Sequence, residues 1–237
     1  MTNGQQSGQQ TYEVQVTFTV EGLDGDDNQL HVLAFHGSEA MSQQFSFTLD
    51  LACRASNLDL SQVVGQPGLL TITRAGQSRY VHGIVSQMEQ RRRGSTYTHY
   101  DASLVPRAWR MEHRTDCRIF QNESIREVIS SVLSDHSVEN RFRCRGNQDP
   151  AEREYCVQYR ESDWNYVSRL LEEEGFFYFF EHAEDSHTLV VSNDPQVHSE
   201  IPGESTVRFG NPEQSSRSRE RITNMSYAEQ MMSGRVA

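Results

Sequence analysis

The chain has 237 residues, enough for one large domain or two ordinary ones, each with its own core. Its formal charge of −11 argues against non-specific nucleic-acid binding, which draws its affinity from phosphate neutralisation. All 22 basic residues are arginine. The lack of lysine excludes a Walker phosphate loop, a Schiff-base nucleophile and a Ser-x-x-Lys acyl-transfer site, each of which needs an amine or ammonium group.

Residues 1–10 carry no apolar side chain after Met1 and predict a flexible tail. Neither a basic start nor an apolar run marks a secretory leader there. The longest apolar-aromatic run, 176–180, is far short of the ~20 residues that a membrane-spanning helix needs. A chain made in the cytoplasm and exported, if at all, without a cleavable leader is expected. Four separated cysteines (Cys53, Cys117, Cys144 and Cys156) form no Cys-x-x-Cys pair and read as small buried thiols.

The first hundred residues read as β-structure. Val14, Val16, Phe18 and Val20 alternate with polar residues, and Phe45, Phe47, Leu49 and Leu51 repeat the pattern, the period of a half-buried strand. Residues 22–29 form a turn and 30–35 a returning strand. Residues 60–64, stopped by Gly65 and Pro67-Gly68, predict one helical turn. Residues 69–73 and 80–88 flank a hairpin at Ala75-Gly76-Gln77, and a second hairpin crosses Arg91, Arg92, Arg93 and Gly94 to residues 96–105. Six or seven such strands suggest an antiparallel barrel or sandwich.

The pattern then changes. Ile125, Val128, Ile129, Val132 and Leu133 fall on one helical face, with Ser124 and Glu127 spaced as a capping box. A strand at 155–159 precedes a helix starting near Ser162, with Trp164, Val167 and Leu171 inward and Gly175 as its stop. Residues 176–180 and 188–191 predict a hairpin. Residues 201–237 alternate again but are too few to enclose a core. The resulting organisation is a flexible tail (1–11), a β-barrel or sandwich (12–110), an α+β domain (111–200) and a stretch (201–237) that either packs on the preceding domains or opens a further one.

No catalytic or metal constellation survives inspection, and no cofactor is expected. Asp24, Asp26 and Asn28 have calcium-loop spacing, but Gln29 and Phe35 stand where Gly and Glu are needed, so a solvated tip is expected. His182 and His187 flank Glu184 and Asp185 and read as exposed turn residues. Glu172, Glu173 and Glu174 point ~100° apart on a helix and read as a solvated last turn. Arg91, Arg92 and Arg93 form the one basic cluster, a charged hairpin tip with an acidic partner as the alternative. Phe176, Phe177, Tyr178, Phe179 and Phe180 make a strand aromatic on both faces. It must be covered on both, by the core or by a second subunit.

The stretch from Glu154 to His182 resembles the signature region of VgrG proteins, the spike proteins of type VI secretion. Further segments match in order and spacing: 30–37 with 45–51, 65–73 with 80–85, and 104–107 through 118–121. The resemblance covers roughly residues 12–195. It implies a fold like the hub of contractile phage baseplates: a tube-forming β-barrel, an α+β domain, then the start of a second barrel at 201. It further implies a homotrimeric, non-enzymatic hub in the full-length protein. That hub would dock on the hexameric Hcp tube and carry a needle, a needle-tip protein and effectors into target cells or the medium. A contractile phage tail or tailocin hub is the nearest alternative. A cell-wall hydrolase fused to a tail protein would need a carboxylate pair that the sequence does not offer.

Overall fold

The computed structural model describes residues 14–145, 151–198, 208–209, 221–222 and 224–226. The expected tail at 1–11 and most of 201–237 lie outside the described residues. Val14–Val197 forms one compact unit. In the other unit, two-residue strands Arg208–Phe209 and Arg221–Ile222 pair in parallel.

The first half of the main unit is a single antiparallel sheet of six strands: β1 (Gln15–Val20), β2 (His31–Ser38), β3 (Ser46–Cys53), β4 (Pro67–Arg74), β5 (Gln77–Arg93) and β6 (Thr98–Val105). Their order is β1-β4-β5-β6-β3-β2, and the sheet curls until its edges, β1 and β2, come into contact without pairing. The fold is thus a half-barrel. Phe18, Phe47, Leu49, Leu51, Leu70 and Tyr100 fill its inner face, as their period-2 spacing requires. The β4–β5 turn uses Ala75 and Gly76 at positive φ, the geometry of a tight hairpin.

Register shifts leave Leu33 in β2, and Ser86 and Arg91 in β5, without a partner on the neighbouring strand. Each extra residue flips which neighbours face the core. Val81 and Val85 are buried on one parity of β5, and after Ser86 the next core residue is Met88, on the other. The arginine triplet therefore belongs to the end of β5 rather than to the hairpin tip, which is formed by residues 94–97.

The second half begins after a 3-10 segment, Arg107–His113. Strand β7 (Thr115–Phe120) pairs with β11 (Cys156–Ser162), and β8 (Glu123–Ser124) pairs with β10 (Glu152–Arg153). Strand β9 (Asn140–Arg143) lies parallel to β13 (His187–Ser192), which pairs antiparallel with β12 (Phe177–His182). Helices α1 (Ile125–Asp135) and α2 (Asp163–Glu173) bury Ile125, Ile129, Leu133, Tyr166, Val167 and Leu170 in a second core. Phe180 packs against both cores.

The start of α1 is fixed as its sequence predicts. Ser124 Oγ accepts the Glu127 N–H at 3.3 Å, and Glu127 Oε2 accepts the Ser124 N–H at 2.8 Å. Ser124→Ala is expected to cost about 1 kcal/mol, read as a lowered urea midpoint at unchanged slope. Helix α2 ends at Gly175 (φ 70), where the Phe176 N–H reaches Leu171 O.

Candidate functional site

The two halves meet where β12 and β13 lie against β5 and the segment before β3. Phe45, 2 % exposed, sits at the centre, edge-on to Phe180 (5.1 Å) and His182 (4.8 Å). His82 of β5 and His187 of β13 are buried and touch through their Nδ1 atoms at 2.9 Å. The Arg107 N–H donates to His187 Nε2 at 3.0 Å. Burial pushes the His187 imidazole down to about 3 and also lowers His82. His182 Nδ1 lies 3.2 Å from both the N–H and the C=O of His82, and its Nε2 is 3.4 Å from Glu39. His182 is the main influence holding the Glu39 carboxyl below its usual range, and Arg79 adds to it.

The expectation that His182 and His187 are exposed turn residues is therefore wrong. The turn is 183–186, and the two histidines are its closing strand pair, facing the half-barrel. The sequence held a signal for this. His187, Leu189 and Val191 share one parity, so a strand with Leu189 and Val191 inward carries His187 inward too.

A second polar cluster lies inside the α+β half. Asp163, with no exposed side-chain surface, receives Arg118 Nη2 at 2.5 Å, Gln158 Nε2 at 2.8 Å and His136 Nε2 at 2.6 Å. Arg118 also reaches Asp135 at 2.8 Å and Gln158 Oε1 at 2.9 Å. These contacts tie α1, β7 and β11 to the first turn of α2. Sequence reading did not single out Asp163, because helix starts are commonly acidic.

The outward-facing groups include arginines, carboxylates and apolar side chains. Arg91 pairs with Asp101 at 2.5 Å, while Arg92 and Arg93 are exposed. Arg91, Arg92, Asp50, His99 and Asp101 border a shallow concavity of about 590 Å³ on the outer face of the sheet. On the free edge β2, Leu33 is 53 % and Phe35 39 % exposed. The β7–β11 ribbon exposes Ile119, Val157 and Tyr159 beside the free thiol of Cys117, so that cysteine is not the buried thiol expected. The aromatic block divides: Phe176 and Tyr178 are buried, and Phe177, Phe179 and Phe180 are half-buried.

Glu173 and Glu174 are not simply solvated. Arg153 bridges both, at 2.8 Å and 2.5 Å, and offsets the unfavourable meeting of carboxylates with a helix C-terminus. Asp24 and Asp26 are exposed, with the Asn28 amide donating to Asp24 O at 2.7 Å. Among the described residues no group of three or more His, Cys, Asp or Glu is placed to hold a metal ion, and no helix is long and apolar enough to cross a membrane.

The curled antiparallel sheet and the α+β half joined to it leave apolar side chains exposed along their strands. A family model for the phage tail baseplate hub (GPD) matches residues 38–237, and the chain belongs to that family. It is 34 % identical to the type VI secretion spike protein VgrG1a of Pseudomonas aeruginosa over 84 % of its length. It is 41 % identical to VgrG5 of the same organism over 70 %. The chain spans 31 % and 21 % of these relatives' lengths. Among solved structures, the Escherichia coli c3393 protein, a type VI component described as similar to phage T4 gp27 and gp5, superposes with a TM-score of 0.70. That superposition has 22 % identity and covers 77 % of this chain and 50 % of that one. A Neisseria meningitidis tail protein, at 14 % identity, superposes with a TM-score of 0.51 over 76 % of this chain and 50 % of that one. At these identities the superpositions speak to fold alone.

Proposed function

We propose that the chain is the hub-forming part of a type VI secretion spike, a structural adaptor whose product is assembly geometry. The carrying observation is the hub-family match over residues 38–237 together with identities of 34–41 % to VgrG spike proteins. Within this reading, residues 12–110 build the first tube wall, 111–200 the accessory domain, and 201–237 open the second wall. The intact spike is a homotrimer that docks on the Hcp tube and carries needle, needle-tip protein and effectors. It is exported by the type VI machine itself.

The free edge β2 supports an interface role. An edge strand offers unpaired backbone groups, and soluble proteins usually guard such edges with charge. Here the edge carries Leu33 and Phe35 instead. The half-buried Phe177 and Phe179 and the exposed Arg92 and Arg93 are the remaining contact candidates. Leu33→Asp with Phe35→Asp in the intact gene product is expected to leave the circular dichroism spectrum unchanged. It should convert the trimer to monomer in sedimentation at micromolar concentration and abolish co-purification with Hcp. A wild-type protein that sediments only as monomer would sink the proposal. A phage-tail hub is the second reading, and identities of 34 % and 41 % to VgrG spike proteins favour the first.

A further inference from the structure

The histidine pair at the junction is part of a hydrogen-bond chain with its protons fixed by geometry. The Arg107 N–H can only donate, so the His187 Nε2 that faces it must carry a lone pair. The proton of neutral His187 is then on Nδ1, where it donates to His82 Nδ1. His82 must hold its own proton on Nε2. Both basic nitrogens of the pair are thus occupied as acceptors. A proton added at His187 Nε2 would oppose the Arg107 N–H, and one added at His82 Nδ1 would oppose His187 Nδ1–H. The ring centroids are 5.2 Å apart, the 2.9 Å contact plus one ring radius at each end. Both nitrogens therefore lie on the line joining the rings, as in a straight hydrogen bond and unlike two ligands bent toward a shared metal.

From this we infer that the His82–His187 pair is an acid-sensitive latch between the half-barrel and the β12–β13 hairpin, closed when both imidazoles are neutral and released when either takes a proton. The latch joins residues 105 positions apart in sequence. A cleft of about 250 Å³ bordered by Arg107, Glu139 and Asp185 reaches the pair and gives protons a way in.

The charged surroundings act on both sides. Arg107 disfavours a cation on both histidines, and His182 does the same from β12. Asp185 from the hairpin turn and Glu139 from before β9 act on His82 in the opposite direction, and burial outweighs them. Glu39, which faces His182 and Arg79, is held below its usual range, so its contribution also fades with acid rather than opposing release. Free imidazoles titrate near ~6.5, while in the closed pair burial holds His187 down at about 3 and lowers His82 as well. Closure is fully supported above about 6.5 and weakens as pH falls, by about tenfold per pH unit for each histidine that protonates on opening.

The test is hydrogen exchange on the intact chain at pH 7.0 and pH 4.5, with rates corrected for intrinsic pH dependence. Segments 80–85 and 177–191 are expected to lose at least tenfold protection at pH 4.5, while 125–135 and 163–173 keep theirs. His82→Gln with His187→Asn removes the titrating groups and is expected to abolish the pH step. Long-range nitrogen NMR of the wild-type chain at pH 7 should show His187 protonated on Nδ1 and His82 on Nε2, a readout that needs no variant. Unchanged protection of both segments at pH 4.5 would overturn the inference. So would simultaneous loss in the helices, an equal step in the double variant, or the opposite tautomers.

Discussion

Asp163→Ala is expected to lower the unfolding free energy by about 3–5 kcal/mol, the range for breaking a buried ion pair from one side. The carboxylate has no exposed side-chain surface and is the common acceptor for Arg118, His136 and Gln158. Its removal takes the most buried anion from Arg118, whose side chain is only 19 % exposed, and leaves it Asp135 and Gln158 as partners. Because His136 Nε2 faces an ionised acceptor, that nitrogen carries the hydrogen, and it too loses its partner. A urea titration reads the change as a midpoint shift. Pairing Asp163→Leu with Arg118→Met should cost less than the two single changes summed, because each single change breaks the same Arg118–Asp163 contact.

The same group sets an acid limit. Burial raises the Asp163 pKa, while the hydrogen bonds from Gln158 and His136 and the charge of Arg118 lower it further, so the net direction is down. A carboxyl depressed by folding contributes its stability above its unfolded value of about 3.9 and loses it as pH falls through the folded one. This loss belongs to strongly acidic solution, below the range in which the histidine latch weakens.

Phe45→Ala is the second large effect, with an expected loss of about 3–5 kcal/mol. The ring is 2 % exposed and touches Phe47, Phe180, His182 and His187, so its deletion opens a cavity where both cores meet. Met41→Ala, at a side chain 61 % exposed, serves as the control and should stay within about 0.5 kcal/mol. Because Phe180 packs on both cores, thermal melts of wild type and Phe45→Ala should each show one transition, at a lower temperature in the variant.

Much of the fold was legible in the sequence because strict alternation and helical spacing report burial directly. The strand at Phe47, Leu49 and Leu51, the Ser124 capping box and the Gly175 stop all stand where their patterns put them. The bulges were not legible. Ser86 breaks the parity that periodicity relies on, and nothing in a residue's identity announces that its neighbour strand skips it. Long-range polar partners were equally hidden. His82 and His187, or Arg118 and Asp163, become pairs only when the topology brings their strands and helices together. A short, charged turn next to His182 and His187 suggested exposure, and only the docking of one half on the other removed it.

Ser86 and Arg91 also shape the half-barrel, for a bulge coils the strand that contains it. Six flat strands would hold their outermost members about 24 Å apart, five spacings of about 4.8 Å. Here β1 and β2 touch. Two unmatched residues lie near the middle of the sheet, where added twist carries the flanks toward each other. Deleting Ser86 would remove its bulge together with the hydrogen bond from Ser86 Oγ to Ser103 O.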